Sequence, residues 1–235
     1  MANIEPFLSM ASEEYYSDHL SGQRLKQCYD LASERVLQYL AAETNFVKNY
    51  LQPGMRVLEL GCGYGRALVE LILTNAKLFG LDIALANLQY CRASLSQLDS
   101  CHLFQMSAAV TGFQSNSFDI VFCIQNGLSA FKMPPNKLIL ETMWLVKLGG
   151  TALFSSYSQN FWDYRLDWFI RQSRAGLVGA IDYNKTKNGI IHCKDGFTAT
   201  TFSEADFTDL CSDMFLLCKT HEIDNSSIFC EVTKA

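Results

Sequence analysis

The sequence predicts a doubly wound α/β protein, with a mostly parallel seven-stranded sheet that ends in an antiparallel hairpin. Short apolar runs alternate with helical segments between residues 51 and 157, which is typical of parallel βαβ units with strands buried on both faces. A glycine-rich turn joins the first of these strands directly to a helix. Two more strand-like runs, on either side of a turn at 224–226, predict the closing hairpin.

Each element follows from its own pattern of apolar and turn-forming residues. Apolar residues recur at helical intervals from Ser21 to Tyr50, before the first strand. The parallel strands are predicted at 56–60, 77–81, 102–106, 119–124 and 151–157. The helices between them are predicted at 64–75, at 84–98, and from Pro134-Pro135 to about Lys147, where Gly149-Gly150 stops the last one. A helix from Ser203, with Asp206 in its first turn, leads into the closing strands at 215–223 and 227–232.

The alternation of strand and helix stops after Tyr157. An aromatic- and arginine-rich helix is predicted at 161–177, and a hairpin at 190–201. We therefore expect a small cap insertion in a larger core. The three predicted parts are an amino-terminal helical lid (1–50), an α/β core (51–157 and 202–235) and a substrate cap (158–201).

Composition and charge narrow the classes of function. The 235 residues are 49% apolar and 18% charged, which excludes a disordered chain. A net charge of −5 argues against nucleic acid as a partner. The nine cysteines include no C-x-x-C pair and predict neither a disulfide framework nor a bound metal. No apolar run is long enough for a membrane span, and the first residues lack a signal-peptide pattern, so we expect a cytoplasmic monomer or homodimer.

The turn after the first strand, in the stretch VLELGCGYGR from Val57 to Arg66, is the sharpest motif. Its glycines allow positive φ angles and close approach of a ligand, and the amides that open the next helix face that ligand. Asp82 ends the second strand, where a carboxylate can accept both hydroxyls of a ribose. Dinucleotide sites need glycine where this chain has Arg66, and Glu59 suits a cationic amino-acid group better than a pyrophosphate.

These motifs together resemble the class I S-adenosylmethionine-dependent methyltransferase family, over residues 50–157 and 203–233. The resemblance implies a Rossmann-like sheet, a methyltransferase activity, S-adenosylmethionine as cofactor and S-adenosylhomocysteine as product. In that family the first-strand acid and the glycine turn bind the methionine part, and the second-strand acid binds the ribose. Many members place an acid after the third strand for the adenine, where this chain has Met106-Ser107-Ala108. The cofactor residues implied are Glu59, Gly61, Cys62, Gly63, Tyr64, Gly65, Asp82, Ile83, Ser107, Ala108 and Gln125.

Methyl transfer is an in-line displacement, so the protein must align the acceptor, exclude water and, where needed, accept a proton. The fourth strand, from Phe118 to Ile124, resembles the next motif of that family, which implies that Gln125 and Asn126 face the cofactor and the acceptor. The loop from Gln125 to Phe131 is also similar to that of glycine N-methyltransferase-like enzymes. His192 is the candidate general base, with a purely structural role as the alternative. Tyr29 is a further lid candidate that could instead only pack its helix. The candidate substrate-binding residues are Tyr15, Tyr16, Asn126, Trp162, Arg165 and Arg171, although tryptophans and arginines at such positions more often pack or face solvent.

The leading hypothesis is transfer of a methyl group to a nitrogen, oxygen or sulfur atom of a small molecule. A methyltransferase acting on tRNA or protein is the second reading, and a groove lined with basic residues would favour it. A non-catalytic scaffold that binds S-adenosylmethionine is the third, and a cofactor pocket without an adjoining acceptor cavity would favour that one. The sequence leaves the acceptor and the methylated atom open.

Overall fold

A computed structural model describes residue 15 and residues 19–95, 101–131 and 133–235. The strands are β1 (Arg56–Leu60), β2 (Lys77–Asp82), β3 (Cys101–Gln105), β4 (Phe118–Cys123), β5 (Val146–Tyr157), β6 (Ile191–His192), β7 (Thr198–Ala199), β8 (Cys218–Ile223) and β9 (Ser227–Thr233). Seven of them form the main sheet in the order β3-β2-β1-β4-β5-β9-β8, which confirms the predicted fold class. The first five are parallel, β9 runs antiparallel to β5 and β8, and β6 pairs with β7 in a separate small sheet.

Helices cover both faces of the sheet. They are α1 (Gln23–Asp30), α2 (Glu34–Lys48), α3 (Arg66–Leu71), α4 (Leu85–Ser94), α5 (Gly127–Ala130), α6 (Pro135–Leu145), α7 (Trp162–Arg174) and α8 (Glu204–Asp213). Successive strand residues alternate between the faces, so Val57 packs with α3 and α4 while Leu58 packs with α6 and α8. Within the described ranges, none of these helices combines the length and apolar character needed to span a membrane.

The helical stretch before β1 is broken into two helices. Ser33 begins α2, where its side chain accepts a hydrogen bond from the Val36 backbone N–H at 3.3 Å. Ser33 has an extended backbone conformation, so α1 and α2 are separate helices and not one continuous helix. The backbone N–H of Gly22, just before α1, donates to Asn87 Oδ1 on α4 at 2.7 Å. This bond holds α1 above the carboxyl end of β2.

Strand β5 begins earlier than the sequence indicates, which corrects the predicted end of α6. Val146 already pairs with Phe118, and the register of the ladder shifts before Ile120. A Cβ atom at Gly150 would lie 2.6 Å from the carbonyl oxygen of Asp119. The glycine pair therefore permits an irregularity within the strand and does not end a helix.

Residues 158–201 pack as a layer beside α2 and above the end of β5. The guanidinium of Arg165 is fully buried there and donates to the carbonyl oxygens of Gly189 at 2.8 Å and Ala199 at 2.9 Å. It also lies over the ring of Tyr157, 4.5 Å from the centroid. These contacts join residues 158–201 to one another and to the end of β5. The division of the chain at 158 and 201 stays a prediction.

Candidate functional site

A cavity lies where the carboxyl ends of β1, β2 and β4 meet α1 and α7. The strand order reverses between β1 and β4, and this switch point is where ligands bind in doubly wound sheets. All of the predicted cofactor residues except Gly65 line the cavity. Side chains from α1 and α7 close it from the other side, so it has a polar wall at the strand ends and a largely apolar wall beneath the helices.

The glycine turn has the backbone geometry that the sequence predicts. Gly61, Gly63 and Gly65 have φ angles of 69°, 53° and 85°, all in the left-handed region. Gly65 is the N-cap residue of α3, and a Cβ atom there would lie 2.2 Å from Cys91 Sγ on α4. Gly65 therefore does not touch the cavity but sets how closely α3 and its exposed amides approach the sheet.

Asp82 is held at the end of β2 by three hydrogen bonds. Its Oδ2 accepts from the Gly63 backbone N–H at 2.9 Å, and its Oδ1 accepts from the Ala84 backbone N–H at 2.8 Å and from Asn87 Nδ2 at 3.1 Å. Burial raises the pKa of this carboxyl, and the three donors oppose that effect. Oδ2 keeps a lone pair for a further donor, such as a ligand hydroxyl.

Glu59 is a buried carboxyl at the end of β1, 5% exposed, and its Oε2 has no hydrogen-bond partner among the described residues. Burial raises its pKa to about 8, with the charge of Arg66 opposing the shift and that of Asp82 adding to it. A buried oxygen without a partner is costly and calls for a donor. A cationic amino group in the cavity fits this requirement.

The loop after β4 is anchored by a buried polar network. Gln125 has a φ angle of 56°, and its backbone N–H reaches Glu43 Oε2 and Ser155 Oγ, each at 2.9 Å. Its carboxamide lies between the Tyr29 hydroxyl and the Arg66 guanidinium, with its oxygen toward Arg66 Nε at 2.9 Å in the orientation that satisfies both partners. Tyr29 thus connects α1 to the cavity wall, whereas Glu43 and Arg66 are site residues that the sequence analysis missed.

The two catalytic candidates do not reach the cavity. Asn126 turns toward β5, where its Nδ2 donates to the Thr200 carbonyl at 2.7 Å and its Oδ1 accepts from Ser156 Oγ at 2.7 Å. His192 is half-buried in β6, outside the cavity lining. The contacts of Asn126 join the cap to the sheet, so a catalytic role for either residue stays a prediction without support from the geometry.

Of the charged substrate candidates, neither lines the cavity. The Arg165 guanidinium donates hydrogen bonds to carbonyl oxygens of the cap. Arg171 is exposed, and its Nε donates to Asp167 Oδ2 at 2.8 Å. Neither arginine of α7 therefore faces this cavity, because the buried Arg165 points toward the β6-β7 hairpin.

The aromatic substrate candidates are placed in the cap or near it. Trp162 lies beside Arg165, with 5.9 Å between the ring centroid and the guanidinium carbon. The Tyr15 hydroxyl donates to Asp195 Oδ2 at 2.7 Å, and neither aromatic residue lines the cavity. Tyr16 lies outside the described residues.

Helix α7 supplies a cavity wall in which the sequence pattern singled out Trp168, with cap packing or substrate contact as the alternatives, but neither Phe169 nor Gln172. Trp168, Phe169 and Gln172 are buried and line the cavity, and Trp168 Nε1 donates to the Cys28 carbonyl on α1 at 2.8 Å. Positions 168 and 172 are one helical turn apart and share a face, so their spacing was an available signal. Tyr29 packs on the Trp168 ring at 5.6 Å, which joins the two helices above the strand ends.

Known proteins similar to this chain were found by sequence and by structure. Residues 57–150 match a family model described as a methyltransferase domain. A ubiquinone biosynthesis O-methyltransferase from Burkholderia thailandensis is 30% identical over 118 residues, which are 48% of this chain and 49% of that protein. The chain thus spans about half the length of the relatives that it matches.

Solved structures share the fold along most of the chain. A protein from Pyrococcus horikoshii OT3 has a TM-score of 0.67 at 14% identity, covering 96% of this chain and 100% of that one. An S-adenosylmethionine-dependent methyltransferase from Aquifex aeolicus has a TM-score of 0.61 at 14% identity, with 88% and 96% covered. A magnesium protoporphyrin IX methyltransferase from Synechocystis, with bound S-adenosylmethionine, has a TM-score of 0.60 at 15% identity, with 95% of both chains covered.

Proposed function

We propose that this chain methylates a small molecule, on the premise that it belongs to the class I S-adenosylmethionine-dependent methyltransferase family. The cofactor of that family is S-adenosylmethionine, which supplies a methyl group activated on a sulfonium when it is bound. The protein's own task is then to hold the cofactor, orient the acceptor and exclude water. The residues described above fit each of these tasks.

The observation that carries the proposal is that one cavity contains both a buried carboxyl group with an unpaired oxygen and an apolar helical wall. Glu59 Oε2 lacks a donor, and the cofactor's amino group would supply one beside the turn at Gly61 and Gly63. Asp82 would take the ribose hydroxyls, and Ile83 would lie against the adenine. Ser107 Oγ accepts from the Ala109 backbone N–H at 3.1 Å, which leaves its hydroxyl hydrogen for an adenine nitrogen.

The opposite wall favours an acceptor that is small, uncharged and apolar around its reacting atom. It is lined by side chains such as Leu25, Tyr29, Trp168, Phe169 and Phe197. The one arginine lining the cavity, within the described residues, is Arg66, and its guanidinium already faces Gln125. A phosphate or polyanionic acceptor would therefore find little compensation for its charge.

We favour oxygen as the acceptor atom, with nitrogen and sulfur as the alternatives. The relatives matched by sequence carry the name O-methyltransferase, and the apolar wall suits a phenol or a similar hydroxyl. Burial raises the pKa of Tyr29 well above its usual value, so this hydroxyl serves as a donor that orients the acceptor and not as a base. Alignment and exclusion of water then carry most of the rate enhancement.

Two alternatives have less support. A tRNA or protein acceptor would need an open basic groove, but the net charge is −5 and the cavity lies beneath α1 and α7. A scaffold without activity would need a cofactor pocket and nothing beside it, whereas this cavity continues from the strand ends to the apolar wall.

The proposal is tested by measuring release of S-adenosylhomocysteine with panels of apolar phenols, amines, thiols and carboxylates, and with bulk tRNA. We expect turnover with at least one hydroxyl-bearing panel member, and loss of that turnover in Phe169→Arg, which puts a charge into the apolar wall. The exposed substitution Trp144→Arg is the matched control and should keep the activity. If tRNA is methylated and none of the small molecules is, the proposal is replaced by that of a methyltransferase acting on tRNA.

A further inference from the structure

Three cysteines from separate elements lie close together at the β8-β9 edge of the sheet, away from the cavity. They are Cys211 near the end of α8, Cys218 at the start of β8 and Cys230 within β9. Their Sγ atoms all lie within 4.8 Å of one another, and those of Cys211 and Cys230 are 3.8 Å apart. The described residues include all nine cysteines of the chain, and the other six join no such group.

The fold brings these side chains together on one face of the closing hairpin. Cys218 pairs with Val232, and Cys230 pairs with Thr220, so the two cysteines lie diagonally across the same ladder. Helix α8 packs on that face and adds Cys211 from above. None of the three lines the methyl-transfer cavity, so the cluster is a separate feature of the molecule.

The spacing of the sulfur atoms fits coordination of one ion in the plane of three ligands. With metal–sulfur bonds of about 2.3 Å, three sulfurs around one ion are about 4.0 Å apart. The 3.8 Å separation of Cys211 and Cys230 is close to that distance and almost twice the length of a disulfide bond, about 2.05 Å. We propose that Cys211, Cys218 and Cys230 form a three-sulfur site for one soft divalent ion of the zinc and cadmium class.

Thiolate ligands select soft ions, and the surroundings of the cluster suit a bound cation. Binding of one divalent ion releases the three thiol protons to solvent and leaves a net charge of −1 on the site. Cys218 is only partly buried and gives an ion a route from solvent, while the carbonyl oxygen of Phe207 lies 3.9 Å from its Sγ.

The test is a titration of the reduced full chain with Cd²⁺. Binding is monitored by the thiolate-to-metal charge-transfer absorption, and native mass spectrometry gives the number of ions per chain. We expect one ion per chain, and at least a tenfold weaker affinity in Cys218→Ser. The matched control is Cys101→Ser, which removes a buried cysteine outside the cluster and should keep wild-type affinity. Since Cys218 is at the edge of the sheet and partly exposed, its variant should fold, and thermal unfolding without metal checks this directly.

A second readout is the rise in unfolding temperature that one equivalent of Cd²⁺ causes, because an ion that binds only the folded chain stabilises it. We expect this rise in the wild type and in Cys101→Ser, and its loss in Cys218→Ser. The proposal is overturned if the reduced wild type forms no one-to-one complex, or if Cys218→Ser binds Cd²⁺ as tightly as the wild type. Cysteines that merely pack against one another, or a Cys211–Cys230 disulfide whose reduced form binds no ion, would give the first of these results.

Discussion

Glu59 and Asp82 occupy the ends of neighbouring strands, and burial raises the pKa of both carboxyl groups. Their surroundings differ, because Asp82 receives three hydrogen bonds while one oxygen of Glu59 receives none within the described part of the chain. The same cavity wall thus combines a carboxylate that is already positioned with one that still needs a donor. At the scale of single residues, this contrast is the reason that we propose a ribose-binding role for Asp82 and an amino-group-binding role for Glu59.

The pH dependence of stability should report on Glu59. Its folded-state pKa of about 8 lies above the usual 4.5, so the folded chain binds more protons than the unfolded chain between these values. The stability that this group contributes is therefore present at low pH and is lost as pH rises through that window. Glu59→Gln should remove the trend, with an unfolding temperature above that of the wild type near pH 8, as measured by thermal unfolding of the unliganded protein.

The affinity for S-adenosylhomocysteine should change with pH in the opposite direction to the stability of the unliganded protein. A cationic amino group beside Glu59 favours its ionised form, so binding at neutral pH should release a proton, and affinity should rise with pH up to about 8. Calorimetry in two buffers of different ionisation enthalpy measures that proton. Glu59→Gln should bind about tenfold more weakly and release no proton, whereas an unchanged proton count would show that Glu59 does not face the ligand.

Gly65 permits a third test at the scale of single residues. Gly65→Ala combines an unfavourable φ of 85° with a Cβ atom only 2.2 Å from Cys91 Sγ. We expect a loss of about 2–4 kcal/mol in the free energy of unfolding, part from the left-handed backbone and part from the clash. Gly54→Ala is the control, because its φ of 83° is nearly the same and nothing lies within 4 Å of its Cβ atom. Equal losses in the two variants, measured by denaturant unfolding, would contradict the role of the close packing.

At the scale of elements, helices α1 and α7 form the side of the cavity that lies opposite the strand ends. The Gly22 backbone N–H donates to Asn87 Oδ1, and Asn87 Nδ2 donates to Asp82 Oδ1, so the position of α1 is linked to the Asp82 carboxyl group. Trp168 Nε1 adds the bond from α7 to the Cys28 carbonyl. These hydrogen bonds tie α1 both to α4 and to α7 at the mouth of the cavity.

Trp168→Phe should loosen α1 and leave the sheet intact. The substitution removes the 2.8 Å hydrogen bond to the Cys28 carbonyl, which is worth about 1 kcal/mol, and leaves that buried carbonyl without its donor. Hydrogen exchange should therefore become roughly fivefold or more faster in α1, with no change in β1 or β4. Trp144→Phe is the matched control, since Trp144 on α6 is 56% exposed. Equal protection of α1 in both variants would mean that this bond does not hold the lid.

Sequence patterns predicted most of the strands because their signals are local. The apolar runs of β1 and β4 and the glycine turn carry their information within a few residues. The directions of the Arg165 and Asn126 side chains depend instead on hydrogen bonds to carbonyl groups at positions 189, 199 and 200, which are distant in the sequence. The early start of β5 depends in the same way on pairing with Phe118, which no local pattern reveals.

At the scale of the whole molecule, the strand ends of the sheet supply the predicted cofactor residues, while residues 20–29 and 168–197 supply the apolar wall of the cavity. Tyr29, Trp168 and Phe197 come from segments that are far apart in the sequence, yet they surround one cavity. The proposed three-cysteine site lies away from this cavity, under α8. Cofactor binding and metal binding should therefore be separable, and each can be measured with the other site intact.

Calorimetric titration with S-adenosylhomocysteine, for the wild type and for Asp82→Ala, tests the central claim most directly. We predict one site per chain in the wild type, and an affinity at least about tenfold lower in Asp82→Ala, because the ribose hydroxyls lose a charged acceptor. The exposed substitution Asp209→Ala should bind as the wild type does. No binding by the folded wild type, an unchanged affinity in Asp82→Ala, or binding of a nicotinamide dinucleotide in place of S-adenosylhomocysteine would contradict the account.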